Sequence, residues 1–412
     1  MNILSRVKQS KIQFKFLFMI TTAYIASGIN MQGFMSMMPL VRDDFGLTRA
    51  QAGLYSTFYF LTATAVAIFS GNIVDRVGSK AGMVFASISL GLLMILHAFA
   101  PSFTVILILA LFAGIGFSII TPSANKAVMR RVSPQRRAIS MGIMQSGGGI
   151  GGFLGASLLP LLAVRTGWRY ALIFSAVFAL LIGVFIYRRY EENPGGEEAQ
   201  KKSGGDDDTT LRESLKVLLK NRQLLAVCSL GLIFSLVSGA VPAHYTLYLT
   251  QNINMNTTAA GLSLGILQIG GIFGRPYWGG LNDKMFGGNR SRGLIMLGII
   301  MTAVIFLFTF YITRFNPGLI IVLISSFLLG MVAMGWHGLL QTTVAELATE
   351  KYTGIATGLS MIFVRTGIVI SPPIFGYLAD LTSTYYYSWL ATGVFALIFT
   401  AVYAVLFRRL FA

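Results

Sequence analysis

Two arginines stand where a charge is hard to keep: Arg275 and Arg365 each lie deep inside a long apolar stretch. Arg275 is eight residues before Asp283, about 12 Å at about 1.5 Å of helical rise per residue, and Arg365 is twelve residues after Thr353, about 18 Å. A charge isolated at such depth in hydrocarbon costs at least about 2.5 to 3.5 kcal/mol, so a compensating group is expected. The fifteen carboxylates do not supply it. Asp43, Asp44 and Asp380 fall at one set of helix ends, Asp75, Asp283, Glu346 and Glu350 at the other, and the remaining eight between Glu191 and Glu213. The missing partner is most simply a transported anion, because a guanidinium fork matches the two oxygens of a carboxylate. Each arginine has a second reading. Pro276 follows Arg275 and disfavours helical geometry there, and Ser371-Pro372-Pro373 is expected to interrupt the helix carrying Arg365, so either guanidinium could instead satisfy carbonyls that proline releases.

Other polar side chains in apolar stretches extend the candidate site. Gly261, Gly265, Gln268, Gly271, Arg275 and Gly279 recur at steps of three and four, one helical stripe that a solute can approach closely. Trp336, His337 and Gln341 form a second group whose indole, imidazole and amide can donate to substrate oxygens. His337 is read as the only mid-span histidine, hence the side chain for proton coupling near neutral pH; its alternative role is that of an interhelical hydrogen-bond partner. From the first half of the chain Asn30, Gln32, Tyr55, Tyr59 and Gln145 join the list, with packing or interfacial anchoring as their alternative.

These residues must be positioned by membrane helices. Hydrophobic residues make up 55% of 412 positions and charged ones 11%, a balance no water-soluble globule needs. Twelve runs of the length that spans a hydrocarbon core fall near 14–38, 51–73, 82–100, 103–127, 138–163, 169–188, 223–249, 258–281, 293–313, 317–344, 354–379 and 385–407. The net charge of +17 points to topology rather than nucleic acid, because no basic stripe with interleaved aromatics exists and the charge gathers at helix ends. With both termini in the cytoplasm the outer loops hold only Arg42, Arg49, Arg165, Arg169 and Arg314 of the 32 basic residues, which is the positive-inside asymmetry. Each surface charge is read as topology. One cysteine, Cys228, excludes an internal disulfide and a thiolate zinc site. The basic start, Met1 to Gln13, leads into a retained first helix.

The expected domains are 1–189, a six-helix bundle; 190–222, a cytoplasmic linker; and 223–412, a second six-helix bundle. The linker contains Ser203-Gly204-Gly205 and three consecutive aspartates and reads as disordered. It ends in a short amphipathic helix that starts at a Thr210/Glu213 capping box and lies on the inner membrane surface.

The halves repeat. Gly71-Asn72-Ile73-Val74-Asp75-Arg76-Val77-Gly78 follows the second span, and Gly279-Gly280-Leu281-Asn282-Asp283-Lys284 with Gly287 follows the eighth. This pattern resembles the signature loop of the major facilitator superfamily. The resemblance covers the chain and implies an all-α membrane protein, with twelve transmembrane helices as two six-helix bundles around a central cavity. Asp75, Arg76, Asp283 and Lys284 become candidate gating residues, with Asp75 capping a helix or pairing with a basic group on a neighbouring one. The fifth-span run Gly147-Gly148-Gly149-Ile150-Gly151-Gly152 with Gly155 resembles the glycine motif of the superfamily's antiporters, though Gly148 stands where that motif has proline and close helix packing accounts for glycines in lipid. Phe273-Gly274-Arg275-Pro276-Tyr277-Trp278 resembles the eighth-helix Arg-Pro stretch of monocarboxylate transporters and oxalate:formate antiporters, and Arg365 stands where the latter group has its second cation.

The expected function is secondary transport of a small mono- or dicarboxylate by alternating access, with proton symport or anion exchange as the coupling. A drug or metabolite efflux antiporter is the alternative, weakened by the lack of a mid-span acid to attract a cation. A membrane sensor that moves no solute is a second. No nucleotide loop, metal cluster or nucleophile–base pair argues for an enzyme or a cofactor. The expected setting is a multi-pass monomer in the cell inner membrane, whose partners are the anion, protons and the lipid bilayer.

Overall fold

The computed structural model describes residues 3–191, 211–315, 317–348 and 352–410. Residues 192–210 of the expected linker, with Thr210 of the expected capping box, lie outside them. The first half runs through α1 (Ile3–Ser36), short α2 (Met38–Phe45), α3 (Arg49–Ala98), α4 (Phe103–Arg131), α5 (Pro134–Thr166) and α6 (Trp168–Arg189). After α7 (Leu211–Lys220) come α8 (Arg222–Gln251), α9 (Thr257–Phe286), α10 (Arg290–Leu307, prolonged through a π-turn to Phe315), α11 (Leu319–Leu347), α12 (Thr353–Leu381) and α13 (Tyr386–Leu410). Gly78 divides α3 into arms 49–77 and 79–98, because its φ of 88° and ψ of 164° is backbone that a side chain would strain. Among the described residues ten stretches qualify as membrane spans by length and hydropathy. Helix α1 and the first arm of α3 occupy the other two expected positions. The chain is an all-α multi-pass membrane protein.

It resolves into two compact units. One comprises the described residues of Met1–Met37 and Phe58–Asp206, the other those of Met38–Thr57 and Asp207–Ala412. Residues 38–57, early in the chain, are thus packed with its second half, and α3 passes from one unit into the other.

Within the first unit α1 and α5 meet backbone to backbone. A Cβ on Gly151 would lie 2.8 Å from Cα of Ile25, and one on Gly155 2.7 Å from Cα of Ile29. The fifth-span glycines therefore do what glycine does in lipid, where close backbone approach replaces hydrophobic driving force. In the second unit α8 pairs with α12, and α9 with α11.

Two expectations about proline are corrected here. Both α9, through Pro276, and α12, through Pro372 and Pro373, continue unbroken. Proline lacks the N–H that would bond the carbonyl four residues back, so such a helix survives where a neighbour re-satisfies that carbonyl. In α12 the neighbour is visible: the Val369 carbonyl, four before Pro373, accepts from Thr57 Oγ1 at 2.6 Å.

Candidate functional site

Arg275 sits on α9 about half a turn round the helix from the lipid-type face. Phe273 and Tyr277, 59% and 51% exposed, project from that face. Gln268 and Asn282, seven residues to either side of Arg275 and therefore nearly in line with it, are 6% and 0% exposed. The Arg275 side chain is itself exposed and makes no hydrogen bond or ion pair among the described residues. Its carbonyl approaches α11 next to His337, at Gly338, where a Cβ would lie 3.9 Å away. Gln268 Nε2 is buried without a hydrogen-bond partner. The glycine stripe of α9 is divided: Gly271 packs on Met334 of α11, whereas Gly279 faces open space.

His337 stacks on Trp336 with ring centroids 3.8 Å apart and an interplanar angle of 19°. Its Nδ1 faces the Met334 carbonyl at 3.3 Å and so carries the donated proton, which makes Nε2 the acceptor nitrogen of the neutral ring. Trp336 is fully buried and its indole N–H is already donated to Ser238 Oγ at 3.0 Å and the Ala333 carbonyl at 2.9 Å. Gln341 Nε2 donates to Ser360 Oγ at 3.3 Å, tying α11 to α12. Arg365 is half-buried on α12 and has interactions of its own. In the first unit Asn30 Nδ2 donates back to Ala26 at 2.8 Å, while Asn30 Oδ1 and Gln32 Oε1 are buried without partners. Gln145 is exposed, and Tyr59 is 1% exposed against Phe60 and Phe117.

The two repeated loops use different partners. After the first arm of α3, Asp75 Oδ1 pairs with Lys126 Nζ of α4 at 3.0 Å, and the same ammonium donates to the carbonyls of Val74 at 3.0 Å and Asp75 at 3.2 Å. All three donors of Lys126 are used, two of them on the end of a helix arm, where a cation is favourable. After α9, Asp283 pairs with Arg290 of α10, which also reaches Glu346 of α11 at 3.2 Å. The Asn282 amide, oriented by its neighbours, accepts from Arg290 Nη1 at 3.1 Å and donates to the Asn289 carbonyl at 2.9 Å. Arg76 and Lys284 are exposed.

The family model described as the Major Facilitator Superfamily matches residues 20–366 and again 245–411. The chain belongs to this superfamily. It is similar to the membrane sensor protein UhpC of Escherichia coli (23% identical, 82% of this chain and 79% of that one). It is likewise similar to the probable sulfoacetate transporter SauU of Cupriavidus necator (24% identical, 86% and 84%). Further relatives, 20 to 23% identical, are a Bacillus subtilis hexuronate transporter, an E. coli sialic acid transporter and multidrug resistance proteins of Salmonella. The solved nucleoside transporter NupG shares the fold with a TM-score of 0.80 at 11% identity, over 95% of this chain and 100% of that one. This set is broader than the monocarboxylate and oxalate:formate groups that the Arg-Pro stretch resembles. The protein is a secondary transporter of the superfamily, one that moves small solutes rather than an enzyme.

Three features of this facilitator escape the sequence reading. Two histidines nearer helix ends are also buried: His244 on α8 and His97 at the end of α3 are 1% and 0% exposed. Lys126, Arg290 and Glu346 complete the loop networks, and the only signal for them was a charge at a helix end. Arg49, read as a topology charge, is held by the second unit through several bonds. No spacing rule connects it to partners 202 and 330 residues away.

Proposed function

We propose that this facilitator carries a small organic anion by alternating access and holds it at Arg275, with His337 and Gln268 as neighbouring polar groups and Arg365 as the second cation. The observation that carries the reading is the Arg275 guanidinium, a charge within a spanning helix that no described residue neutralises. A bound carboxylate or sulfonate would satisfy its fork, and the site would then be neutral enough for the two units to exchange access. Relatives described as carriers of hexuronate, sulfoacetate and sialic acid support an anionic substrate. Asp75 with Lys126, and Asp283 with Arg290 and Glu346, serve as inner gates. The reading includes a bacterial inner membrane, cytoplasmic termini, and coupling to protons or to a counter-anion.

Thermal unfolding of the purified protein against mono-, di- and tricarboxylates and sulfonates tests it. A ligand at 100 times its dissociation constant adds about 2.7 kcal/mol of stability. One anion class is expected to stabilise the protein and to lose that effect in Arg275→Ala. A response to cationic or neutral drugs instead, unchanged by Arg275→Ala, would move the efflux alternative to first place.

A further inference from the structure

Helices α9 and α11 meet along a close seam. A Cβ on Gly335 would lie 2.9 Å from the Gly274 backbone carbon, and one on Gly271 2.9 Å from Cβ of Met334. Trp278 Nε1–H donates across the seam to the Met331 carbonyl at 2.8 Å. One span, α10, separates the two helices in sequence, so they run in the same direction. From Gly274 a turn of about 100° reaches Arg275, and from Gly335 a turn of about 160° in the opposite sense reaches His337. In parallel helices that face each other, opposite turns lead to the same side, so the guanidinium and the imidazole leave the seam together. Arg275 is exposed there and His337 partly so.

The imidazole is held in one orientation. Its flat face lies on Trp336, ring centroids 3.8 Å apart, and Trp336 is itself fixed by its bonds to Ser238 and Ala333. Nδ1–H is spent on the Met334 carbonyl of its own helix at 3.3 Å. That bond sets the tautomer of the neutral ring and leaves Nε2 as a lone-pair acceptor on the far side. Nε2 makes no hydrogen bond among the described residues, whereas the other polar side chains nearby on α11, Trp336 and Gln341, are committed. The seam thus presents two complementary groups on one side: a cationic fork of donors and a fixed neutral acceptor.

A carboxylate can use only the first of these. Its oxygens have no proton to give Nε2, and an oxygen lone pair brought against the nitrogen lone pair is repelled. An alcohol hydroxyl on the same molecule donates to Nε2 while the carboxylate occupies the guanidinium. We propose that the substrate is a hydroxylated organic acid, and that His337 is the specificity-determining residue, accepting a hydrogen bond from a hydroxyl of the anion held by Arg275. The inference rests on the anion reading above and narrows its substrate class.

Isothermal titration of the purified protein with matched acids tests it: propionate against lactate, butyrate against 3-hydroxybutyrate, and hexanoate against gluconate. At least one hydroxylated acid is expected to bind about ten-fold more tightly than its parent, the upper end of what one neutral hydrogen bond contributes. His337→Phe keeps a ring on Trp336 but removes the acceptor, so the advantage should fall below about two-fold while the parent acid binds as before. His337→Gln restores an acceptor oxygen and should recover part of the advantage, which a merely structural role for His337 does not predict. Equal affinities within every pair, or a hydroxyl advantage that survives in folded His337→Phe, would overturn the proposal. The comparison within the unsubstituted protein decides it even where His337→Phe fails to fold. Acids that bind, lose binding in Arg275→Ala and are blind to the hydroxyl sink this inference alone. Absence of binding by any acid sinks the anion reading, and this inference with it.

Discussion

Arg49 and Arg275 belong to the same compact unit and are opposite in use. Arg49 donates from all three guanidinium nitrogens to groups of α8, α12 and the turn after it, and lies over an aromatic ring. Arg275, inside a spanning helix, makes no hydrogen bond or ion pair among the described residues. An arginine with engaged donors holds structure together. One with idle donors in a costly place contributes no visible bond to the fold, and the anion proposed above would employ it. The repeated inner loops differ in the same sense: Lys126 is saturated by one carboxylate and two carbonyls, whereas Arg290 is shared between two carboxylates from different helices.

The largest effect that sharpens the contrast is expected at Arg275. Substitution to alanine should abolish the anion-dependent gain of about 2.7 kcal/mol while leaving the ligand-free unfolding midpoint unchanged or raised, since no described partner is stranded. A ligand-free protein weakened by several kcal/mol would break the comparison and make Arg275 structural. Next is Arg49→Ala, expected to lower ligand-free stability by roughly 1.5 to 3 kcal/mol, the range for hydrogen bonds to a charged group. Denaturant titration measures it, and the anion response should survive. The smallest effects concern the loops. Arg290→Ala, which leaves Asp283 and Glu346 without their shared cation, should cost up to about 1 kcal/mol, and Asp75→Asn only a few tenths, because Lys126 keeps its two carbonyls. Both effects should shrink in 1 M salt, where the screening length is about 3 Å. Equal costs for the two variants would mean that the loops are interchangeable after all.

Much of the fold could be read from the sequence. Apolar runs, basic residues at alternate helix ends and the repeat of Gly71–Gly78 at Gly279–Gly287 are local features, and each limits the architecture without knowledge of any contact. The candidate site was legible only in part. Arg275 announced itself by being polar in an apolar run, but so did Trp336 and Gln341, whose donors turn out to be spent on Ser238, Ala333 and Ser360. Residue type told which groups can donate; it did not tell which had already done so. The prolines of α12 misled for the same reason, since a broken hydrogen bond ends a helix only when no neighbour repairs it, and the repair at Val369 comes from Thr57, 312 residues away.

What the sequence determined by itself, then, is the solvent, the spans and the places where polar chemistry is out of keeping with lipid. Hydrophobicity and helical rise act residue by residue. What only the tertiary structure decided is the state of each polar group: that Asp380 seals the start of α3, that His244 is spent on Pro372 and Tyr385, and that Arg275 is left with open donors. Those outcomes depend on which helix face meets which neighbour, and that is fixed by packing among helices that hydrocarbon makes almost equally apolar on every side.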